Sequence, residues 1–67
     1  MMTIRVNGTE RKIDEGTTLN TLLADLGFHA KATAVEHNGA ILDRAVFDDT
    51  KLEPGDSLEL IRFVGGG

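Results

Sequence analysis

The sequence contains no cysteine, no tryptophan and no tyrosine, and it has one proline among 67 residues. Without cysteine, neither a disulfide framework nor a thiolate metal site can form. The lack of cysteine also fits a reducing compartment. A chain of this length forms one domain and buries only about 60% of the surface that its unfolded form exposes, so we expect a small core.

Basic charge and long apolar runs are also scarce. Lys and Arg number 7 against 11 Asp and Glu, for a net charge of −4. Without a basic stripe or stacking aromatics, nucleic-acid binding is not expected. No apolar run approaches the roughly 18 residues of a membrane span, and the start MMTIRVNG lacks a signal-peptide core. We therefore expect a cytoplasmic protein that binds neither membranes nor nucleic acid.

The first half of the chain predicts a hairpin followed by a helix. Apolar residues alternate over 2–6, the pair Asn7-Gly8 favours a tight turn, and 9–14 is the return strand. Leucines at 19, 22, 23 and 26 share one helical face. Thr18 is placed to cap the start of this helix and Gly27 to end it.

The second half predicts more strands. It begins with a strand over 33–37, the turn Asn38-Gly39 and a short apolar pair, Ile41-Leu42. Val46, Phe47 and Leu52 are expected at the edge of the core. A turn over 53–56 then precedes a last strand over 57–64. The last strand is the longest and most apolar, which favours a central position. We expect its parallel pairing with the first strand, because the helix provides the crossover between them.

This order of elements predicts the α+β class: a β-grasp, with one main helix packed on one face of a mixed sheet. Residues 1–64 form the single domain, and Gly65, Gly66 and Gly67 form a flexible tail.

Conventional catalytic groups are hard to find. His29 and His37 lie in different predicted elements and lack companion ligands, so we expect no metal site. The carboxylates at 14–15 and 48–49 lie beside turns, where such residues usually cap or are solvated. We expect neither an enzyme active site nor a bound cofactor.

The glycine tail is the remaining candidate. Glycine-rich ends are usually flexible remnants, but here Phe63 and Val64 keep the strand apolar up to Gly65. A terminal carboxylate on an arm without Cβ atoms can enter a narrow channel of another protein. ATP can activate such a carboxylate as an acyl-adenylate, from which a nucleophile displaces AMP.

The sequence resembles the ThiS family of sulfur carrier proteins of thiamine biosynthesis, which are ubiquitin-like β-grasp proteins ending in Gly-Gly. The resemblance covers nearly the whole chain through GTTLNTLLADLG, VEHNGAILDR and LEPGDSLELIRFVGGG. Its most specific parts are Asn38-Gly39 followed by Ile41 and Arg44, Gly55-Asp56, and Gly66-Gly67. His37 departs from the usual apolar residue and Asp43 from the common proline.

The resemblance implies a carrier rather than an enzyme. A ThiF-type enzyme would use ATP to adenylate the carboxylate of Gly67, and sulfur from a cysteine desulfurase or related donor would replace AMP to give a thiocarboxylate. Thiazole synthase (ThiG) would take this sulfur to build the thiazole ring. Gly65 and Gly66 would give the terminus the length to enter the partner's active site and would carry no side chains to obstruct it.

We also expect a partner-binding patch that includes Leu58, Ile61, Phe63 and Val64. Strand alternation allows only one parity of these positions to be core, and it favours Leu58 with Leu60 as the core pair.

Three other functions remain open. The chain could serve molybdopterin or cysteine biosynthesis as a sulfur carrier with the same terminus. It could be a ubiquitin-like modifier whose Gly67 forms an isopeptide bond. It could also be a non-catalytic interaction module with an incidental tail.

Overall fold

Five strands and one main helix make up the part of the chain that the computed structural model describes, residues 1–63. In chain order they are β1 (Met2–Val6), β2 (Thr9–Ile13), α1 (Leu19–Leu26), β3 (Thr33–His37), β4 (Ala40–Leu42) and β5 (Ser57–Arg62), with 3₁₀ turns at Ala30–Ala32 and Arg44–Val46.

The sheet has the strand order β2-β1-β5-β3-β4, which places β5 in the centre. Strand β5 runs parallel to β1 and antiparallel to β3, and the two outer pairs are antiparallel. The central position of the last strand and its parallel pairing with the first were both predicted, and both are confirmed. The α+β class, with one helix on a mixed sheet in the β-grasp arrangement, is confirmed as well.

Two asparagine-glycine turns connect the hairpins and also hold β5. Both residues of each turn have positive φ, 50° and 81° at Asn7-Gly8 and 50° and 89° at Asn38-Gly39, as the predicted tight hairpin turns require. The Asn7 side chain accepts from Leu60 N (2.8 Å), and that of Asn38 accepts from Ser57 N (2.8 Å). Each turn therefore closes its own hairpin and binds the central strand.

Helix α1 begins and ends as the sequence predicts. The Thr18 side chain accepts a hydrogen bond from Thr21 N at 3.2 Å, and Gly27 closes the helix with a left-handed φ of 81°. The leucines at 19, 22 and 23 are buried, and Leu26 is half-buried. They belong to one apolar cluster with side chains from β1, β3 and β5.

The prediction is wrong for one of the three core-edge residues. Phe47 and Leu52 are buried, but Val46 is 41% exposed. Val46 ends a 3₁₀ turn that the sequence analysis did not predict, and this turn directs Phe47 into the core instead. The return strand ends at Ile13, one residue earlier than predicted.

Buried and exposed side chains alternate along β5 from Ser57 to Ile61. Leu58 and Leu60 are 1% and 6% exposed, whereas Ile61 is 58% exposed. This confirms the predicted core pair. It also corrects the assignment of Leu58 to a partner-binding patch, because its side chain lies in the apolar core under α1.

This alternation predicts unequal responses to alanine on the same strand. Leu58→Ala should lower the free energy of unfolding by about 2–5 kcal/mol, because it leaves a cavity in a small core. Ile61→Ala should change it by less than about 0.5 kcal/mol, as expected of a surface position. Urea denaturation followed by circular dichroism measures both, and equal losses would contradict the two-faced strand.

Candidate functional site

The predicted reactive terminus follows the central strand in the sequence. Val64, Gly65, Gly66 and Gly67 lie outside the described residues. The described chain ends at Phe63, whose backbone N–H donates to the carbonyl of Ala32 at 2.9 Å and whose side chain is 64% exposed. We call Phe63 the root of the tail. Its backbone is bonded to the domain, and its side chain presents apolar surface to solvent.

A second set of contacts lies next to this root. The guanidinium carbon of Arg62 lies 4.3 Å from the centre of the Phe28 ring. One of its nitrogens donates to the carbonyl of Gly27 at 3.3 Å. These contacts join the end of β5 to the segment that follows α1.

The face of the sheet opposite α1 carries apolar side chains that no element of the described chain covers. We call Ala34, Glu36, Ile41, Glu59 and Ile61 the open face. Ile61 is paired with Ala34, and Glu36 is paired with both Ile41 and Glu59 across the neighbouring strands. Ile41 is 80% exposed. Two isoleucines and one alanine thus surround two carboxylates, and Phe63 lies beside them at the end of β5.

The two carboxylates of the open face stand directly opposite each other. Like charges at paired positions of adjacent strands destabilise a sheet. Within residues 1–63 the ion pairs are Arg5–Glu10 and His37–Asp56, so neither Glu36 nor Glu59 takes part in one. This face combines exposed apolar area with negative charge that a basic partner surface would neutralise.

A buried carboxylate lies at the other end of β5. Asp56 is 8% exposed, and its Oδ2 accepts from Nε2 of His37 and from the N–H of Glu53, both at 2.9 Å. Its Oδ1 accepts from Asn38 at 3.1 Å. The cluster joins the β3–β4 turn to the turn before β5, and all of β5 lies between it and the root of the tail.

These hydrogen bonds set the protonation state of Asp56. Burial alone would raise the pKa of Asp56, but the hydrogen bonds from His37, Glu53 and Asn38, together with positive charge on His37, lower it below the usual 3.8. The carboxylate therefore remains ionised while it joins two turns. The sequence analysis placed His37 in the strand over 33–37 and Asp56 in the turn over 53–56, and it missed their contact because 19 residues separate the pair.

Other potential sites are sparse in the described part of the chain. Across residues 1–63 no group of three or more His, Asp or Glu residues could hold a metal ion, and His29 caps the first 3₁₀ turn without a side-chain bond. The described residues form no pocket. Among the same residues, no helix is long and apolar enough to cross a membrane.

Comparison with known proteins identifies relatives along the whole domain. Residues 4–67 match the family model of the ThiS family. The chain is 39% identical over 66 residues to a thiazole synthase of Magnetococcus marinus, covering 98% of the chain but 20% of that protein. It spans about a fifth of the first thiazole synthases that it matches. It is also 32% identical over 65 residues to the sulfur carrier protein ThiS of Bacillus subtilis, covering 96% of the chain and 98% of that protein.

A solved structure agrees with the sequence relatives. The crystal structure of the thiamine biosynthesis protein (ThiS) from Geobacter metallireducens superposes with a TM-score of 0.83 at 38% identity. The superposition covers 98% of this chain and all of that one.

The Asp56 cluster predicts a loss of stability in acid. Because the folded-state pKa of Asp56 lies below its unfolded value, its stabilising contribution is present above the unfolded value and is lost as pH falls through the folded pKa. Urea denaturation of the wild type and of Asp56→Asn at several pH values between 7 and about 2.5 should show a smaller loss in the variant. Asp25→Asn, at an exposed helix position, is the matched control. Parallel curves for Asp56→Asn and the wild type would contradict this role.

Proposed function

Because this chain belongs to the ThiS family, we propose that it is a sulfur carrier of thiamine biosynthesis whose Gly67 carboxylate is activated and converted to a thiocarboxylate. The observation that carries the proposal is the family match, which continues beyond the folded strands through the glycines to residue 67. The fold supports it, since β5, the strand that precedes these glycines in the sequence, lies at the centre of the sheet.

The proposed chemistry needs no catalytic side chain from the carrier. A ThiF-type enzyme joins the Gly67 carboxylate to the AMP portion of ATP and releases pyrophosphate. The terminal sulfur of a persulfide, supplied by a cysteine desulfurase or a related donor, attacks the acyl carbon, and AMP leaves. A thiol then reduces the acyl disulfide and leaves the thiocarboxylate on Gly67.

Reach and clearance explain the proposed role of the glycines. Four residues follow Phe63, and fully extended they span about 13–14 Å. The last three have no Cβ, so they can enter a narrow channel that side chains would block. The folded domain would stay outside the active site of the partner while the terminus enters it.

Thiazole synthase is the proposed acceptor of the sulfur. Two relatives bearing that name contain a region similar to this whole chain, at 39% and 35% identity. A carrier region within a synthase supports transfer between the two, since covalent linkage raises the effective concentration of one for the other. Sulfur transfer to ThiG would return Gly67 to the carboxylate form.

The open face is the proposed docking surface for the activating enzyme. Ile61 and Phe63, which the sequence analysis expected in a partner-binding patch, lie near the end of β5, and Ile41 extends the apolar area across β3. Glu36 and Glu59 would pair with basic side chains of the partner, which relieves the repulsion between them. Docking here would bring the partner to the end of the strand from which the tail leaves.

Incubation with ATP, a ThiF-type enzyme, a persulfide donor and a thiol should raise the intact mass by about 16 Da, the difference between sulfur and oxygen. Fragmentation should assign the shift to Gly67. A variant lacking residues 65–67 should keep its circular dichroism spectrum and show no shift. If the full chain gives no shift with several activating enzymes, the carrier function is wrong, and if the deletion unfolds the protein, the tail is structural.

Ile61→Ala should lower kcat/KM of activation by about tenfold, as truncation of a central interface side chain commonly does, without lowering stability. Val46→Ala is the matched control, because Val46 is also an exposed apolar residue but lies on the second 3₁₀ turn instead of the open face. A steady-state pyrophosphate-release assay measures both. Equal effects of the two variants would place docking elsewhere.

A further inference from the structure

We propose that Arg62 is a positioning residue that, together with Phe28 and the Gly27 carbonyl, clamps the end of β5 and holds the backbone of Phe63 in place. We call these three residues the clamp. Its use in activation rests on the function proposed above, whereas its effect on the end of β5 does not.

The last part of β5 has hydrogen-bonded backbone on one side only. Strand β1 pairs with β5 only at Ser57 and Leu58, while β3 pairs with it through Arg62. Beyond Leu58, the contact on the β1 side is the side chain of Asn7, which bonds the N–H and C=O of Leu60. A strand end held along one edge frays easily, because opening it exposes few contacts.

Besides the contacts with β3 and Asn7, the clamp adds contacts on the helix side of the sheet. In the alternation along β5, Arg62 has the parity of the buried Leu58 and Leu60, so its side chain extends on the helix side of the sheet. There the planar guanidinium lies over the Phe28 ring and donates to the Gly27 carbonyl. The side chain of Arg62 thus contacts the segment after α1, while the backbone at the end of β5 is paired with β3.

Charge and geometry both suit arginine at this position. The Gly27 carbonyl lies at the C-terminal end of α1, where the helix dipole favours a cation. A guanidinium can stack on a ring and donate in its own plane at the same time, whereas a lysine ammonium provides only a point charge. Phe28 is half-buried against the core, so the ring to which Arg62 is held is itself fixed.

The clamp matters for activation because it orders the root before the partner binds. Phe63 follows Arg62 directly and is bonded to Ala32. If the clamp is lost, the backbone at the root must be ordered during binding, and that cost falls on KM instead of the chemical step. Arg62→Ala should therefore raise KM for the carrier about fivefold, the low end of the cost of ordering one residue, with kcat unchanged.

Direct contact between Arg62 and the partner would also raise KM, and Phe28→Leu separates the two explanations. This variant leaves Arg62 in place, keeps an apolar side chain and removes only the ring. The clamp predicts that Phe28→Leu reproduces most of the effect of Arg62→Ala and that the double variant is little worse than either single one. Arg62→Lys should be intermediate. Arg11→Ala, which removes the same charge from the exposed edge strand β2, should leave KM unchanged.

A second measurement uses the carrier alone. The ¹⁵N-relaxation order parameter of the Phe63 amide should be near 0.85 in the wild type and in Arg11→Ala, and below about 0.6 in Arg62→Ala and Phe28→Leu. Amides of β1 and β3 serve as internal references for a folded domain. This result does not depend on sulfur chemistry, so it tests the clamp even if no ThiF-type enzyme activates the wild type.

Three results would overturn the proposal. The first is an unchanged order parameter of Phe63 in both variants. The second is a rise of KM in Arg62→Ala that Phe28→Leu does not reproduce, which would make Arg62 a direct partner contact. The third is a fall in kcat at constant KM, which would assign Arg62 to the chemical step.

Discussion

The alternation of side chains along one central strand is the constraint on which the rest of the structure depends. Leu58 and Leu60 point into the core under α1, and this burial holds the middle of the sheet together. The same pleat directs Glu59 and Ile61 to the opposite face. A shift of register by one residue would exchange the two faces and bury a carboxylate. Core and open face are therefore consequences of the same register.

The two ends of β5 are fixed by different chemistry. At its start, Asp56 accepts hydrogen bonds from two turns, which sets where the strand enters the sheet. At its end, Arg62 rests on Phe28, close to the last backbone bond, from Phe63 to Ala32. These contacts hold the described end of the strand up to Phe63, two residues before the first glycine of the tail. This arrangement suits a carrier, because an ordered strand end leaves only a short terminal segment to enter the active site of the partner.

Local signals in the sequence predicted most of the fold. Alternation, leucine spacing, the Thr18 cap and the two asparagine-glycine turns are each specified within a few residues, and the structure agrees with them. The sequence analysis missed features that depend on distant partners. The pairing of His37 with Asp56 and of Arg62 with Phe28 requires the sheet to be assembled first. The exposure of Val46 depended on an irregular segment with no periodic pattern. Leu58 was predicted both as a core residue and as part of the partner-binding patch, and the assembled sheet shows that it belongs to the core.

The proposed function places the chemistry at the one part of the chain that has no side chains. The most direct test of this central claim is carrier-dependent exchange of labelled pyrophosphate into ATP by a ThiF-type enzyme, because exchange reports reversible adenylation of the terminus. The account predicts exchange with the full chain and none with a folded variant that lacks residues 65–67. Equal exchange with both proteins, or none with either, would contradict it.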